Sequence, residues 1–284
     1  MIRRTRSFLV VACFLCLVLE VIAQFRGRRG PRTFEGPLER GNVPEWKVDD
    51  RFPKDSFTFA RLKYRSSGSE RSSFAWWTDY PDADLNLCYR LQQLTSIKVQ
   101  PEPKVLEITD PDLSNYPWVF MSGVGNIMLD DREAAALRNY LLSGGFMMVD
   151  DFWGQAEWDG FHSAMKQVFP EREPVDLPRS HPIFRCVFPL PEDLSLQTTN
   201  IGNARANRDS GVTWEDNHAG GNTRDVHFRA IFDDNNRMMV MICHNTDNGD
   251  GWEEEGVDPW FFTEFSEKKC YPLGINIIFY AMTH

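Results

Sequence analysis

The segment from Pro117 to Val149 restricts the fold more than any other. It begins Pro117-Trp-Val-Phe-Met-Ser-Gly123, an apolar run closed by glycine, and ends in a second apolar run, Phe146-Met-Met-Val149. Between them Asp130 stands where an N-cap belongs, and Glu133 three residues on completes a capping box. Ala134, Leu137, Tyr140 and Leu141 recur at helical spacing, and Gly144-Gly145 stop the helix. Strands this short and continuously apolar must be covered on both faces. A strand–helix–strand unit of a parallel sheet does that, so the expected fold class is α/β.

The remaining pattern extends this unit. Phe57 to Tyr64 is β-rich, with Arg61 and Lys63 interrupting one face, and 66–73 is a polar loop. Asp82 to Leu94 carries Leu85, Cys88, Tyr89, Leu91 and Leu94 near helical spacing. Glu157 to Val168 reads as a further helix and Leu273 to Met282 as an apolar closing helix. Arg229–Phe232 and Met238–Cys243 read as strands paired around an Asp234-Asn235-Asn236 turn. The stretch 170–221, thick in Pro, Asn and Gly, reads as an irregular insertion or functional loop region.

The start of the chain has a different character. Arg3, Arg4 and Arg6 precede an apolar run from Phe8 to Val18, and small Ala23 stands before Gln24. This is the layout of a signal peptide over residues 1–23, with cleavage after Ala23 and an exported, periplasmic or extracellular product. The run is too short for a comfortable transmembrane helix, and none is expected after the leader is removed. The rival, lipidation at Cys13, leaves only Phe8 to Ala12 as the apolar core before the cut. Residues 24–54 are rich in Arg, Gly and Pro and read as a flexible linker, leaving 55–284 as the folded domain.

Removing the leader takes away three arginines and Glu20, moving the net charge from −10 to −12. A surface of that sign repels phosphate backbones, so nucleic acid is not an expected partner. Basic Arg26, Arg28, Arg29 and Arg32 could touch anionic lipid or wall polymer, or simply be solvated. The one CxxC, Cys13 to Cys16, lies within the leader. Cys88, Cys186, Cys243 and Cys270 remain, which allows one disulfide or a set of buried free thiols.

Parallel α/β sheets bind ligands beyond the carboxyl ends of their strands. That rule selects Asp150 and Asp151 after one strand, and His244, Asn245 and Asp247 after another. Arg61, Trp77, Asp79, Tyr80 and Asp82 belong to or follow the first strand. Asp150, Asp151 and His244 are the candidate catalytic residues, because clustered carboxylates and an imidazole suit acid–base work. Arg61, Trp77, Asp79, Tyr80, Asp82, Asn245 and Asp247 are the candidate ligand-binding residues. Plainer roles stay open: Asp79 or Asp82 as a helix cap, Asp150-Asp151 as a turn pair, His244 as a structural histidine, and Trp76 and Trp77 as the edge of the core. Gly123-x-Gly125 lacks the third glycine of a dinucleotide fingerprint, since Met128 stands there. Within Ile242–Gly256 an EF-hand register would put Thr246 and Val257 at the positions that need Asp and Glu, so it fails. The run Glu253–Glu255 reads as a solvated acidic face. No metal or cofactor is expected, although a looser cation site of Asp150, Asp151 and Asp247 stays open.

Five stretches together carry a resemblance. They are Trp77-Thr-Asp-Tyr-Pro-Asp-Ala-Asp84, Leu129-Asp-Asp-Arg-Glu133 with Ser143-Gly-Gly145, Ser180-His-Pro-Ile-Phe184, His244-Asn-Thr-Asp247, and Gly274-Ile-Asn276 with Tyr280-Ala-Met-Thr-His284. From about Phe57 onward the chain resembles the bacterial domain-of-unknown-function family numbered 4159, of exported or membrane-attached proteins. That resemblance implies a flavodoxin-like parallel sheet akin to class I glutamine amidotransferases and trehalose-utilisation proteins. It implies cell-envelope proteins or wall polymer as partners, since relatives occur beside MoxR-type ATPases and von Willebrand-type domains. It supplies no activity. Amidotransferases place a cysteine nucleophile at a strand-to-helix elbow, and here Asp150 and Asp151 follow the strand instead. Two readings result: a module that binds a polar ligand or partner, and a hydrolase of glycan or peptide-like substrates using His244 with Asp150 or Asp151.

Overall fold

The computed structural model describes residues 38–48, 55–67, 76–216 and 221–284. The expected leader, Cys13, most of the expected linker and most of the 66–73 loop lie outside them. In chain order the strands are β1 (Ala60–Lys63), β2 (Arg65–Ser66), β3 (Lys104–Glu107), β4 (Trp118–Ser122), β5 (Ile127–Met128), β6 (Phe146–Asp150), β7 (Val175–Asp176), β8 (His227–Phe232) and β9 (Met238–His244). The longer helices are α1 (Asp82–Leu94), α2 (Asp131–Leu142) and α3 (Gly154–Val168). After these come two short helices, α4 (Ile201–Ala206) and α5 (Asn248–Glu253), and a single turn, α6 (Pro259–Phe261). A π-helical stretch, Phe262–Cys270, then leads into α7 (Tyr271–Thr283).

The main sheet runs β3-β1-β4-β6-β9-β8-β7. The first five are parallel, and β8 and β7 add an antiparallel edge. Numbered in chain order, the parallel strands lie 2-1-3-4-5, the flavodoxin-like doubly wound arrangement. In that arrangement the strand order reverses between β1 and β4, the kind of place where such sheets bind ligands. β2 and β5 form a separate antiparallel pair.

Why the strands are apolar throughout is visible in how their residues divide between two cores. Phe59, Trp118, Phe120, Met148, Met241 and Cys243 face one side, where α1 contributes Ala83, Leu87, Cys88 and Leu91, and α7 contributes Leu273, Ile277 and Ile278. Ala60, Leu62, Val119, Met121, Met147, Val149, Val240 and Ile242 face the other, beneath Leu137 and Leu141 of α2 and Phe161, Met165 and Val168 of α3. Alternate residues of one strand thus enter opposite cores, as period-two geometry requires.

The capping box at the start of α2 forms as expected: Glu133 N donates to Asp130 Oδ1 at 2.8 Å, and Asp130 N to Glu133 Oε2 at 2.9 Å. The expected linker includes residues 38–48, which are held against the domain. Trp46 Nε1 donates to Val99 O at 2.7 Å, and Arg40 Nη1 to Pro101 O at 2.6 Å. All four cysteines of the domain are free thiols. No helix among the described residues is long and apolar enough to cross a membrane.

Gly123 and Gly125 serve packing. Gly123 has φ 67°, turning the chain out of β4, and a Cβ on Gly125 would lie 2.3 Å from that of Glu157. On the facing helix, a Cβ on Gly160 would come within 2.1 Å of the Gly125 carbonyl oxygen. Backbone cannot swing aside, so Gly160→Ala is expected to lose about 3 kcal/mol of stability through overpacking. Urea denaturation would read this as a lowered midpoint, and an unchanged midpoint would contradict the seating of α3 on the β4 exit turn.

Candidate functional site

Three chain segments meet at the carboxyl ends of the parallel strands. The first is the turn after β1, carrying Asp79. The others are the exits of β6, with Asp150 and Asp151, and of β9, with Asn245 and Asp247. Asp79, Asp151 and Asn245 all adopt left-handed backbone, with φ of 63°, 54° and 60°. Each non-glycine residue held this way costs on the order of 1 kcal/mol, so the surrounding structure must enforce it.

Arg61 enforces it at the first segment. It is fully buried, and its Nε donates to both carboxylate oxygens of buried Asp84 at 3.1 Å, with Nη2 also bound to Oδ1. Its Nη1 donates to the carbonyls of Trp76 at 3.0 Å and Thr78 at 2.8 Å. Arg61 therefore organises the turn that presents Asp79, and its donors are taken up inside the protein. Neither Asp79 nor Asp82 caps α1 through its side chain; the N-cap is Pro81, without a side-chain bond. Trp77, Tyr80 and Asp82 are half-buried around the same turn.

Asn245 is a structural node. Its Oδ1 accepts from Gly154 N at 2.7 Å, and its Nδ2 donates to the carbonyls of Asn222 and Asp225 at 2.9 and 2.8 Å. Asp150 is likewise committed. It accepts from Asn248 N at 2.7 Å, Asn248 Nδ2 at 2.8 Å and Gly249 N at 3.0 Å, which ties β6 to the start of α5. Asp247 caps α5, accepting from Asp250 N at 2.8 Å.

The carboxylates of Asp79, Asp151 and Asp247 each offer an oxygen, and these oxygens all lie within 4.8 Å of one another. All three residues are buried. Asp79 forms a second such group with Asp250 and Glu253. Burial raises the Asp79 carboxyl well above its usual range, the charges of Glu253, Asp250 and Asp151 add to this, and Arg61 opposes it. Burial likewise raises Asp151, with Glu215 and Asp150 beside it, and Asp247, with Asp151 and Asp250 beside it. Burial pushes Asp150 up to about 7 against its three donors.

His244 does not join this group. Its Nδ1 faces Arg229 Nη1 at 3.3 Å and its Nε2 faces Gly154 O at 3.1 Å. Arginine only donates, so Nδ1 accepts and Nε2 carries the proton. Burial, with Arg229 and His227 adding to it, lowers its pKa to about 3 despite the Gly154 carbonyl. The ring packs against Phe152 at 4.8 Å and Trp158 at 5.3 Å. No hydrogen bond or ion pair joins it to Asp150 or Asp151 among the described residues. The base–acid pairing that the hydrolase reading needs is not formed.

Other residues of the site carry no sequence signal. Thr198, from the 170–221 stretch, accepts Asp247 N on its carbonyl at 3.0 Å, and its own N donates to Thr246 Oγ1 at 2.9 Å. Gly249 gives Asp79 room: a Cβ there would lie 2.1 Å from Asp79 Oδ2. Glu255 is not a solvated face residue, since it binds Arg90 and accepts from the Tyr271 hydroxyl at 2.5 Å.

The model of one protein family, described as a domain of unknown function (DUF4159), matches residues 58–282. The chain belongs to the DUF4159 family. No curated protein matches it. The DUF4159 match spans every parallel strand and each of the three segments that meet at the site.

Proposed function

We propose that this chain is an exported cell-envelope protein whose amidotransferase-like domain binds a polar ligand or partner without thiol chemistry. The observation that carries the reading is the cluster at the carboxyl ends of the parallel strands, where Asp79 and Asp151 stand on left-handed backbone and each bring an oxygen close to one of Asp247. Strain of this kind is held where a site must be preorganised. The cysteines support the absence of thioester chemistry. Cys243 and Cys270 are buried, and burial raises the Cys243 thiol well above its usual range and Cys270 to about 12. A thiol so protonated at neutral pH is a poor nucleophile. Asp150 and Asp151 stand where the resemblance would place a cysteine.

Two measurements test this. Fractionation and N-terminal sequencing of the expressed chain should find it outside the cytoplasm, beginning at Gln24. Full retention in the cytoplasm would overturn the export reading. Thermal-shift screening against wall fragments and sugars should find a ligand that raises the melting temperature. The gain should be lost in Asp151→Asn and kept in Glu267→Gln, an exposed acid away from the site. A ligand whose gain survives Asp151→Asn would contradict the site.

A further inference from the structure

The acid cluster contains a feature that hydrogen bonding leaves unexplained. Asp79 is only 8% exposed, and its Oδ2 is buried with no hydrogen-bond partner. Buried polar atoms of native proteins are almost always satisfied, and a carboxylate oxygen is among the costliest to leave bare. The atom points at the gap beside Asp247: a Cβ on Gly249 would meet Asp79 Oδ2 at 2.1 Å and Asp247 Oδ1 at 3.5 Å. Any side chain at position 249 would fill the space that these two carboxylates share.

Two arrangements can relieve such a cluster. Carboxyls can share a proton through one short hydrogen bond of about 2.5–2.7 Å, or their oxygens can surround a cation. Oxygens around a hard cation lie about 2.4 Å from its centre, so two on opposite sides are about 4.8 Å apart. One oxygen from each of Asp79, Asp151 and Asp247 falls within that diameter. The donors are all carboxylate oxygens, a set that selects calcium, magnesium or manganese over zinc or copper.

We infer that Asp79, Asp151 and Asp247 hold one hard divalent cation at the carboxyl ends of the parallel strands. Asp150 is not a ligand, because its oxygens are bound to Asn248 and Gly249. Arg61 is a positioning residue, acting through the turn that carries Asp79. The inference rests on the reading of this strand-end cluster as a ligand site, and it names what that site takes first: a cation, on which an anionic or hydroxylated ligand can then complete the coordination.

The test uses the purified protein stripped with EDTA and the metals alone. Mn2+ titration followed by electron paramagnetic resonance should give one site per chain, displaced by excess Ca2+ or Mg2+. A saturating divalent cation should raise the melting temperature by about 5 °C or more. Asp79→Asn and Asp151→Asn should weaken Mn2+ binding at least about tenfold while leaving the metal-free melting temperature equal to or above that of wild type, because each removes an uncompensated buried charge. A merely structural role would lower it. Glu267→Gln should bind as wild type. If either Asn variant fails to fold, the wild-type titration still decides: no bound Mn2+ and no thermal gain with any of the three metals overturns the inference. So does binding unchanged in both Asn variants. Stabilisation by a sugar or wall fragment without metal binding would sink the cation site and leave the proposed function standing. Metal binding with no polar ligand would do the reverse.

Discussion

Asp84→Ala is expected to destabilise the folded chain by about 3–5 kcal/mol, because it strands the guanidinium of Arg61 inside the protein without a counter-charge. Both side chains of this pair are fully buried. Burial opposes the charged form of each: it raises the Asp84 carboxyl above its usual range although Arg61 lowers it, while Asp84 raises the Arg61 guanidinium above its own despite burial. Arg61 cannot shed its proton to escape, so the cost falls on stability. Urea unfolding of wild type and variant measures it, and a loss below about 1 kcal/mol would show that the pair is not the buried ion pair described. The double variant Arg61→Met/Asp84→Leu should recover much of the loss, since an apolar pair of similar volume removes both desolvation penalties. It should not recover all of it. The carbonyls of Trp76 and Thr78 lose the donor that holds the Asp79 turn.

His244 makes the second large prediction, a loss of stability in acid. An unfolded histidine takes up a proton below about 6.5, whereas the folded one resists until about 3. Between those values the unfolded state binds more protons, so stability falls as the pH falls. The slope is about 1.4 kcal/mol for each pH unit. The groups that face the ring, Arg229 and His227, both disfavour its charging, and the Gly154 carbonyl is too weak an acceptor to reverse them. Stability measured against pH for wild type and His244→Gln should therefore converge, or cross, as the pH drops from 6.5 towards 3. Two curves that stay parallel over that range would refute the buried neutral imidazole.

The same histidine shows where reading the sequence stops. Its place at the end of a strand was legible, but it is the last residue of β9 and pairs with His227 of β8 instead of lying beyond the strand. Its partners were not, because Arg229 and Gly154 reach it only through strand pairing with β8 and the start of α3. Strand β3 escaped for a different reason: of Lys104–Glu107 only Leu106 is buried, so an edge strand leaves almost no periodic signal. The Glu253–Glu255 run read as solvated because charge is visible in a sequence and Arg90, more than a hundred residues away, is not.

What the sequence determined by itself is the central strands and the helices that cover them. Apolar runs of strand length, helical stripes, a capping box and terminal glycines are local signals, and local physics is enough to place α1 at Asp82–Leu94 and to start α2 at Asp131. It also fixed the end of the sheet on which polar residues gather. Tertiary structure alone decided which of those residues face one another. Asp150 turned to the backbone of α5, and His244 turned to Arg229. Asp79 was brought to Asp151 and Asp247 by a buried arginine and by the absence of a side chain at Gly249. The three carboxylates come from segments far apart in the chain, and their distances are set by packing, which no local pattern encodes.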